Sequence, residues 1–364
     1  MYPHQMSQAT AQDTRLKVQD LTVKYRTSRG LLSAVDSVDL ELEKGKIYAL
    51  VGESGCGKST LGLSIPRLLP EEHVEYSGKI LYKGTDILSL DEDGLENIRG
   101  SEFASIFQEP LTSLNPVYRV GEQIAEALAV RSSRGRPHEA APAPRPSTAQ
   151  KLFGLNMDTV RGYSSSLRKF FPRVYDLLEE VWIPGPKRVA EMYPHELSGG
   201  MRQRIMIAMA LAGSPEFLIA DEPTTALDVT TQIQILKLIK KINKEFEMGV
   251  LLITHDLGVV AAVADHAIIM YAGKIVEEAP KDELLENPLH PYTQGLIASF
   301  PRGRKKDYSL TSIPGTVPPL GMYPSGCRFH PRCPKARAEC QEKVPETIEV
   351  SKGHKVACVL YGGA

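Results

Sequence analysis

Residues 46–51 read KIYALV and residues 52–59 read GESGCGKS. No other part of the chain constrains the fold as tightly. The first run is close to continuously apolar, as a strand buried on both faces must be. The second fits the spacing Gly, four residues, Gly-Lys-Ser, and an apolar, helix-like LGLSIPRLL follows it. Glycines allow successive backbone N–H groups to converge as an anion nest, and the helix behind adds the positive end of its dipole. In such a loop Lys58 offers a mobile cation to β- and γ-phosphates, and Ser59 offers an oxygen to Mg²⁺. The plainer reading is a Gly-rich turn before a helix. A strand before and a helix after favour a nucleotide-phosphate site made by Gly52, Ser54, Gly55, Cys56, Gly57, Lys58, Ser59 and Thr60. Cys56 has no chemical task in it, because the backbone does the binding.

The remaining pattern extends this into a fold. LKVQDLTVKY (16–25) and AVDSVDLEL (34–42) alternate apolar and polar, whereas FLIAD (217–221) and VLLIT (250–254) are short and apolar. A helical pattern covers 229–246. Strands alternating with helices predict an α/β fold with a largely parallel sheet, and the first two strands predict an antiparallel side sheet. The 364 residues suffice for two domains, or for one large domain with an appendage. A net charge of −1 provides no basic field for nucleic acid, which is therefore not an expected partner. MYPHQMSQATAQDTRLK lacks the apolar core of a signal peptide. The longest apolar stretch, 249–273, contains His255, Asp256, Asp265 and His266, which argues against a membrane span. A cytosolic setting follows, with cysteines reduced or metal-bound. Residues 131–150, rich in Pro, Ala, Ser and Arg, read as a surface loop, and 301–326 read as a linker.

Two further segments carry chemistry. In FLIADEP an apolar strand delivers Asp221 and Glu222 to the carboxyl edge of a sheet, where ligands bind in such folds. Asp221 suits Mg²⁺, and Glu222 suits a general base for an attacking water. In LSGGMRQR, Ser198, Gly199 and Gly200 open a helix, which alone is an ordinary N-cap. The ordered set of phosphate loop, LSGGMRQR and FLIADEP over about 16–300 resembles the ATP-binding subunit of ABC transporters. The resemblance implies an ABC-type P-loop core over 1–300 with an antiparallel side sheet and a helical subdomain at about 110–215. It also implies roles for four more residues. Tyr25 would stack on adenine, Gln108 of IFQEP would be the Q-loop residue and a Mg²⁺ contact, Asp228 of TTALD the D-loop residue, and His255 of LLITHD the switch histidine near the γ-phosphate. Taken singly, each reads as an unremarkable strand-end, loop, cap or core residue.

QEPLTSLNPVYRVGEQI, YPHELSGGMRQRIMIAMAL and NPLHPYTQGL are similar to the dipeptide/oligopeptide importer ATPases, a branch that also serves nickel and oligosaccharides. Met201, where many ABC proteins have Gln, looks like the first of that branch's two non-identical ATPases. The branch implies ATP-gated dimerisation with a second, non-identical ATP-binding subunit. It also implies two membrane permease subunits, an extracytoplasmic solute-binding protein, and a peripheral position on the cytoplasmic face of the membrane. The competing reading is a soluble ABC-type ATPase acting on a ribosome or nucleic acid. Such proteins usually join two cassettes or carry long coiled coils, and this chain has neither.

Four of the five cysteines, Cys327, Cys333, Cys340 and Cys358, fall in the last 38 residues, in an expected extension over 301–364. Their intervals of five, six and seventeen residues lack the close pairs of most structural zinc sites, yet four thiolates can hold Zn²⁺ or a [4Fe–4S] cluster, and spacing alone leaves both open. GCRFHPRCPKARAECQEKVP is similar to the C-terminal extension of the importer ATPases, and that resemblance implies the cluster, in a structural role. Replacing Cys333 with Ser is expected to destabilise residues beyond about 326 and to leave ATP binding at the phosphate loop largely intact.

Overall fold

The computed structural model describes residues 15–108, 113–133, 166–299 and 313–362. In chain order these form β1 (Leu16–Thr27), β2 (Gly30–Leu42), β3 (Ile47–Val51), α1 (Lys58–Ser64), β4 (Val74–Tyr82), β5 (Thr85–Asp86), α2 (Glu92–Ile98) and β6 (Phe103–Ile106). They continue as α3 (Val120–Ser133), α4 (Phe171–Glu180), α5 (Pro186–Ala190), α6 (Gly199–Leu211), β7 (Phe217–Asp221), α7 (Val229–Glu245), β8 (Gly249–Thr254) and α8 (Leu257–Val263). Then come β9 (His266–Tyr271), β10 (Lys274–Pro280), α9 (Lys281–Glu286), α10 (Pro291–Ser299), α11 (Glu339–Glu342), β11 (Thr347–Ser351) and β12 (His354–Ala357). Two compact units result. One takes the described residues of 1–44, 52–91 and 268–364, the other those of 45–51 and 92–267.

The second unit is built on parallel strands in the order β3-β8-β7-β6. Every residue of β3, β7 and β8 is buried, which is why these strands read as unbroken apolar runs. Leu218 and Ala220 of β7 and Leu252 of β8 share one core with Val174, Ile205 and Ile239 from the surrounding helices. Of the expected loop 131–150, Arg131 to Ser133 end α3, and the rest lies outside the described residues.

The first unit has an antiparallel sheet in the order β2-β1-β4-β5, and a second group runs β9-β10-β12-β11. Strand β12 of the cysteine-bearing extension pairs antiparallel with β10, Glu277 opposite Val356. Helix α1 is shorter than LGLSIPRLL suggests and ends at Ser64. Pro66 has no N–H for the next helical bond, and Arg67 turns left-handed at φ 51°. The expected boundary near residue 300 lies outside the described residues.

At the start of α10, both carboxylate oxygens of Glu277 accept backbone N–H groups, from Leu289 (2.7 Å) and His290 (2.9 Å). His290 Nδ1 accepts the Tyr292 N–H at 3.0 Å. Burial lowers the His290 imidazole from 6.5 to about 3, because a charged ring would sit without water. The unfolded chain therefore takes up this proton first as pH falls. The stability involved is complete above about pH 6.5 and is lost as pH drops towards 3, by at most about 1.4 kcal/mol per pH unit. Thermal unfolding followed from pH 7 to 4 should show the melting temperature falling, with a shallower slope in His290→Asn. An equal slope in the variant would assign the acid sensitivity elsewhere.

Candidate functional site

The phosphate loop belongs to the first unit. Gly55 and Gly57 take φ of 78° and 105°, the left-handed region that side chains disfavour. A Cβ on Gly57 would lie 2.5 Å from the Ala34 carbonyl oxygen, and one on Gly52 would lie 2.3 Å from that of Met270. Gly57 is thus required by space and by conformation, Gly55 by conformation and Gly52 by space. Lys58 is buried, and its Nζ donates to the carbonyls of Gly52 (2.8 Å) and Glu53 (3.0 Å). The ammonium is held on neutral carbonyls, which an incoming polyanion can outcompete. Ser54, Gly55 and Ser59 are exposed, and Cys56 is fully buried. Tyr25 Oη and Thr60 Oγ1 lie 3.2 Å apart, which joins the strand-end tyrosine to the loop.

Gln108, Asp221, Glu222 and His255 belong to the second unit. Strand β6 runs beside β7, with Ile106 opposite Ala220, and β7 runs beside β8, with Asp221 opposite Ile253. One or two residues past each strand's carboxyl end come Gln108, Glu222 and His255. Glu222 Oε2 accepts Gln108 Nε2–H at 3.1 Å and Thr225 Oγ1–H at 2.9 Å. Its Oε1 lies 3.1 Å from His255 Nδ1. The Glu222 backbone has φ 45° and its N–H donates to the Ile253 carbonyl at 3.0 Å, which fixes the direction of the carboxylate. Asp221, at the end of β7, is buried.

Ser198 caps α6, its hydroxyl accepting the Met201 N–H at 3.3 Å. Asp228 caps α7 and accepts both the backbone N–H (3.0 Å) and the hydroxyl (2.6 Å) of Thr231. Those bonds hold its carboxyl below the usual range. A Cβ on Gly200 would meet Thr231 Cγ2 at 2.6 Å, so Thr231 joins the Ser198-Gly199-Gly200 segment to Asp228. Sequence reasoning singled out neither Thr231 nor Thr225, although Thr225 lies in TTALD and Thr231 three residues beyond it.

The extension reaches the loop. Arg332 forms a two-pronged ion pair with Glu53, at 3.0 and 3.2 Å. Tyr292 Oη accepts the Glu53 N–H at 3.0 Å. Nothing local in the sequence announces a contact between residues 279 positions apart. Among the described residues no group of three or more His, Cys, Asp or Glu side chains could hold a metal ion. The four tail cysteines are free thiols, so the expectation that they bind metal gains no support from that arrangement.

Comparison with known proteins places these features. Residues 35–225 match the family of ABC transporters, and residues 276–340 match the C-terminal region of oligopeptide/dipeptide transporters. The oligopeptide transport ATP-binding protein AppD of Bacillus subtilis is 42% identical over 349 residues, covering 96% of this chain and 97% of its own length. The dipeptide transport ATP-binding protein DppD of the same organism is 42% identical over 346 residues, covering 95% and 94%. Among solved structures, the dimeric bacterial ABC transporter cassette MJ0796 is 26% identical with a TM-score of 0.56, covering 73% of this chain and 98% of that one.

Burial raises the Cys56 thiol above its ordinary value, although Lys58 nearby acts in the opposite direction. Alkylation of Cys56 at neutral pH should therefore be far slower in the native chain than in denaturant, as peptide mass spectrometry would read. Cys56→Ala should keep its ATP hydrolysis, and loss of hydrolysis in that variant would give the thiol a role the geometry does not provide.

Proposed function

The chain belongs to the ABC transporter family, and on that premise we propose that it is the ATP-hydrolysing subunit of a peptide importer. The observation that carries the proposal is the convergence of Gln108 and His255 on Glu222 at the carboxyl edge of three parallel strands. Relatives named for oligopeptide and dipeptide transport match along almost the whole chain, which supports peptides as the class of solute. Oligosaccharide and nickel remain finer readings of the same branch. A soluble ATPase working on a ribosome or nucleic acid is not favoured, since the matches are transport subunits.

In this reading ATP lies along the Gly52–Thr60 loop with adenine against Tyr25. Gly52 and Gly57 hold that loop close against the Met270 and Ala34 carbonyls, where a Cβ would not fit. Lys58 exchanges its two carbonyl partners for β- and γ-phosphate oxygens. Mg²⁺ would draw charge off the transferred phosphoryl group, and Ser59, Gln108 and Asp221 are the residues to hold it. Glu222 accepts a proton from the attacking water, while Gln108 and Thr225 hold its Oε2 and His255 flanks Oε1. Ser198, Gly199, Gly200 and Asp228 face a partner cassette, so that ATP closes a dimer and hydrolysis opens it. The partner is a non-identical ATP-binding subunit in this proposal, and the dimer is docked to two permease subunits served by an extracytoplasmic binding protein. No described helix is long and apolar enough to cross a membrane. Attachment is therefore proposed through the permeases, at the cytoplasmic face.

Loss of a general base costs about 10²–10⁴ in rate. Glu222→Gln should lose turnover on that scale while keeping ATP binding, and it should accumulate as a closed dimer with its partner cassette on size-exclusion chromatography with ATP. Hydrolysis at the parental rate would remove Glu222 from this role.

For the extension we propose a [4Fe–4S] cluster on Cys327, Cys333, Cys340 and Cys358. Burial pushes the Cys327 thiol to about 11, and the charges of Cys340, Cys358 and Cys333 add to the rise. Burial likewise raises Cys333 and Cys358, each with contributions from other tail cysteines. The four thus lie within electrostatic reach of one another, and the proposal itself rests on the resemblance of GCRFHPRCPKARAECQEKVP to the importer ATPases' extension. Anaerobically purified protein should be brown with about four irons per chain. Colourless protein, or one stoichiometric zinc, would overturn the assignment.

A further inference from the structure

Arg332 sits in a short turn between Cys327 and Cys333, and its side chain is buried. All five of its N–H groups have partners. Nε donates to Pro314 O at 2.8 Å, and Nη1 donates to Glu53 Oε1 at 3.0 Å and Tyr271 Oη at 3.4 Å. Nη2 donates to Glu53 Oε2 at 3.2 Å and Gly315 O at 3.3 Å. Such saturation fixes a guanidinium rigidly. Its counter-ion is the second residue of the phosphate loop. Glu53 is also held through its main chain, by Tyr292 Oη on the N–H and by Lys58 Nζ on the carbonyl. Phe329, in the same turn, packs edge-on against Tyr271 at 5.2 Å and beside Tyr292 at 5.3 Å, so that aromatic contacts set the position from which Arg332 reaches.

We propose that Arg332 is a positioning residue for the nucleotide site, acting through Glu53 so that the cysteine-bearing extension helps set ATP affinity. The proposal rests on the reading of residues 52–59 as the ATP phosphate site. Two effects act in the same direction. The fork fixes the loop's second residue and with it the backbone N–H groups that follow. It also neutralises a carboxylate that would otherwise repel a triphosphate bound by the same loop. Arg332 touches neither the attacking water's base nor the signature segment, so its loss weakens binding in the ground and transition states alike.

The test is ATP titration and steady-state hydrolysis with the full chain and three variants. Arg332→Met should raise the ATP dissociation constant and KM about tenfold, a size usual for coupled neighbours, with kcat much less changed. Adding Glu53→Gln to Arg332→Met should recover part of that affinity, because the unneutralised charge is removed. A purely structural role for Arg332 predicts no such recovery. Arg332→Lys, which keeps the charge and loses the fork, should fall between parent and Arg332→Met, and it replaces the latter if that variant does not fold. Parental affinity in the Arg332 variants would overturn the proposal, as would weakened binding that Glu53→Gln leaves unrelieved. Failure of the parent chain itself to bind ATP would instead overturn the phosphate-site reading, and this inference with it.

Discussion

Three parallel strands that end in register determine where this chain can do chemistry. Adjacent strands lie about 4.8 Å apart, so residues just past the ends of β6, β7 and β8 fall within side-chain reach of one another. Gln108, Glu222 and His255 occupy those positions and meet at 3.1 Å on either side. A one-residue slip of β7 would turn its apolar residues out of register with Phe103–Ile106 and Gly249–Thr254 and would move the carboxylate off the edge. The buried side chains of β7 prevent that slip. Core packing and the placement of Glu222 are thus one constraint, and the left-handed Glu222 backbone, at φ 45°, is a conformation that only a well-determined surrounding sustains.

The phosphate loop follows a different logic. It is positioned by what its residues lack. Side chains at Gly52 and Gly57 would collide with the backbone carbonyls of Met270 and Ala34. The main chain therefore comes closer to its neighbours than a loop with side chains at these positions could. Lys58, a buried cation given no counter-ion among the described residues, donates to two carbonyls of its own loop. Both partners are neutral, so this holding position is weaker than a salt bridge would be, and a polyphosphate can displace it.

Much of this was legible in the sequence, because the governing interactions are local. KIYALV with the GESGCGKS that follows it, FLIAD and VLLIT each state a strand and its end within a few residues, and β3, β7 and β8 lie where those runs predict. Ser198 and Asp228 were recognisable as caps because capping is read from the next three residues. What escaped notice depends on distant partners. Thr231 matters because Gly200 approaches it, and the depressed imidazole of His290 comes from burial that no local pattern encodes. The length of α1 was misjudged for a local reason: LGLSIPRLL has a helical apolar period, but Pro66 lacks the donor to continue it. The Arg332–Glu53 pair spans most of the chain and leaves no trace in either neighbourhood.

That pair also resolves how so small an extension becomes ordered. Residues 313–362 are too few to enclose a core of their own. They rely instead on surfaces of the unit they join. Phe329 enters a cluster with Tyr271, Tyr292 and His290, β12 adds to β10, and His354 reaches the buried Glu277 at 2.8 Å. Glu277 in turn holds the start of α10, whose Tyr292 grips the Glu53 N–H. The contacts that let the extension fold are therefore the contacts that reach the phosphate loop. A staple across its cysteines would stabilise both at once, because no layer of independent core lies between them.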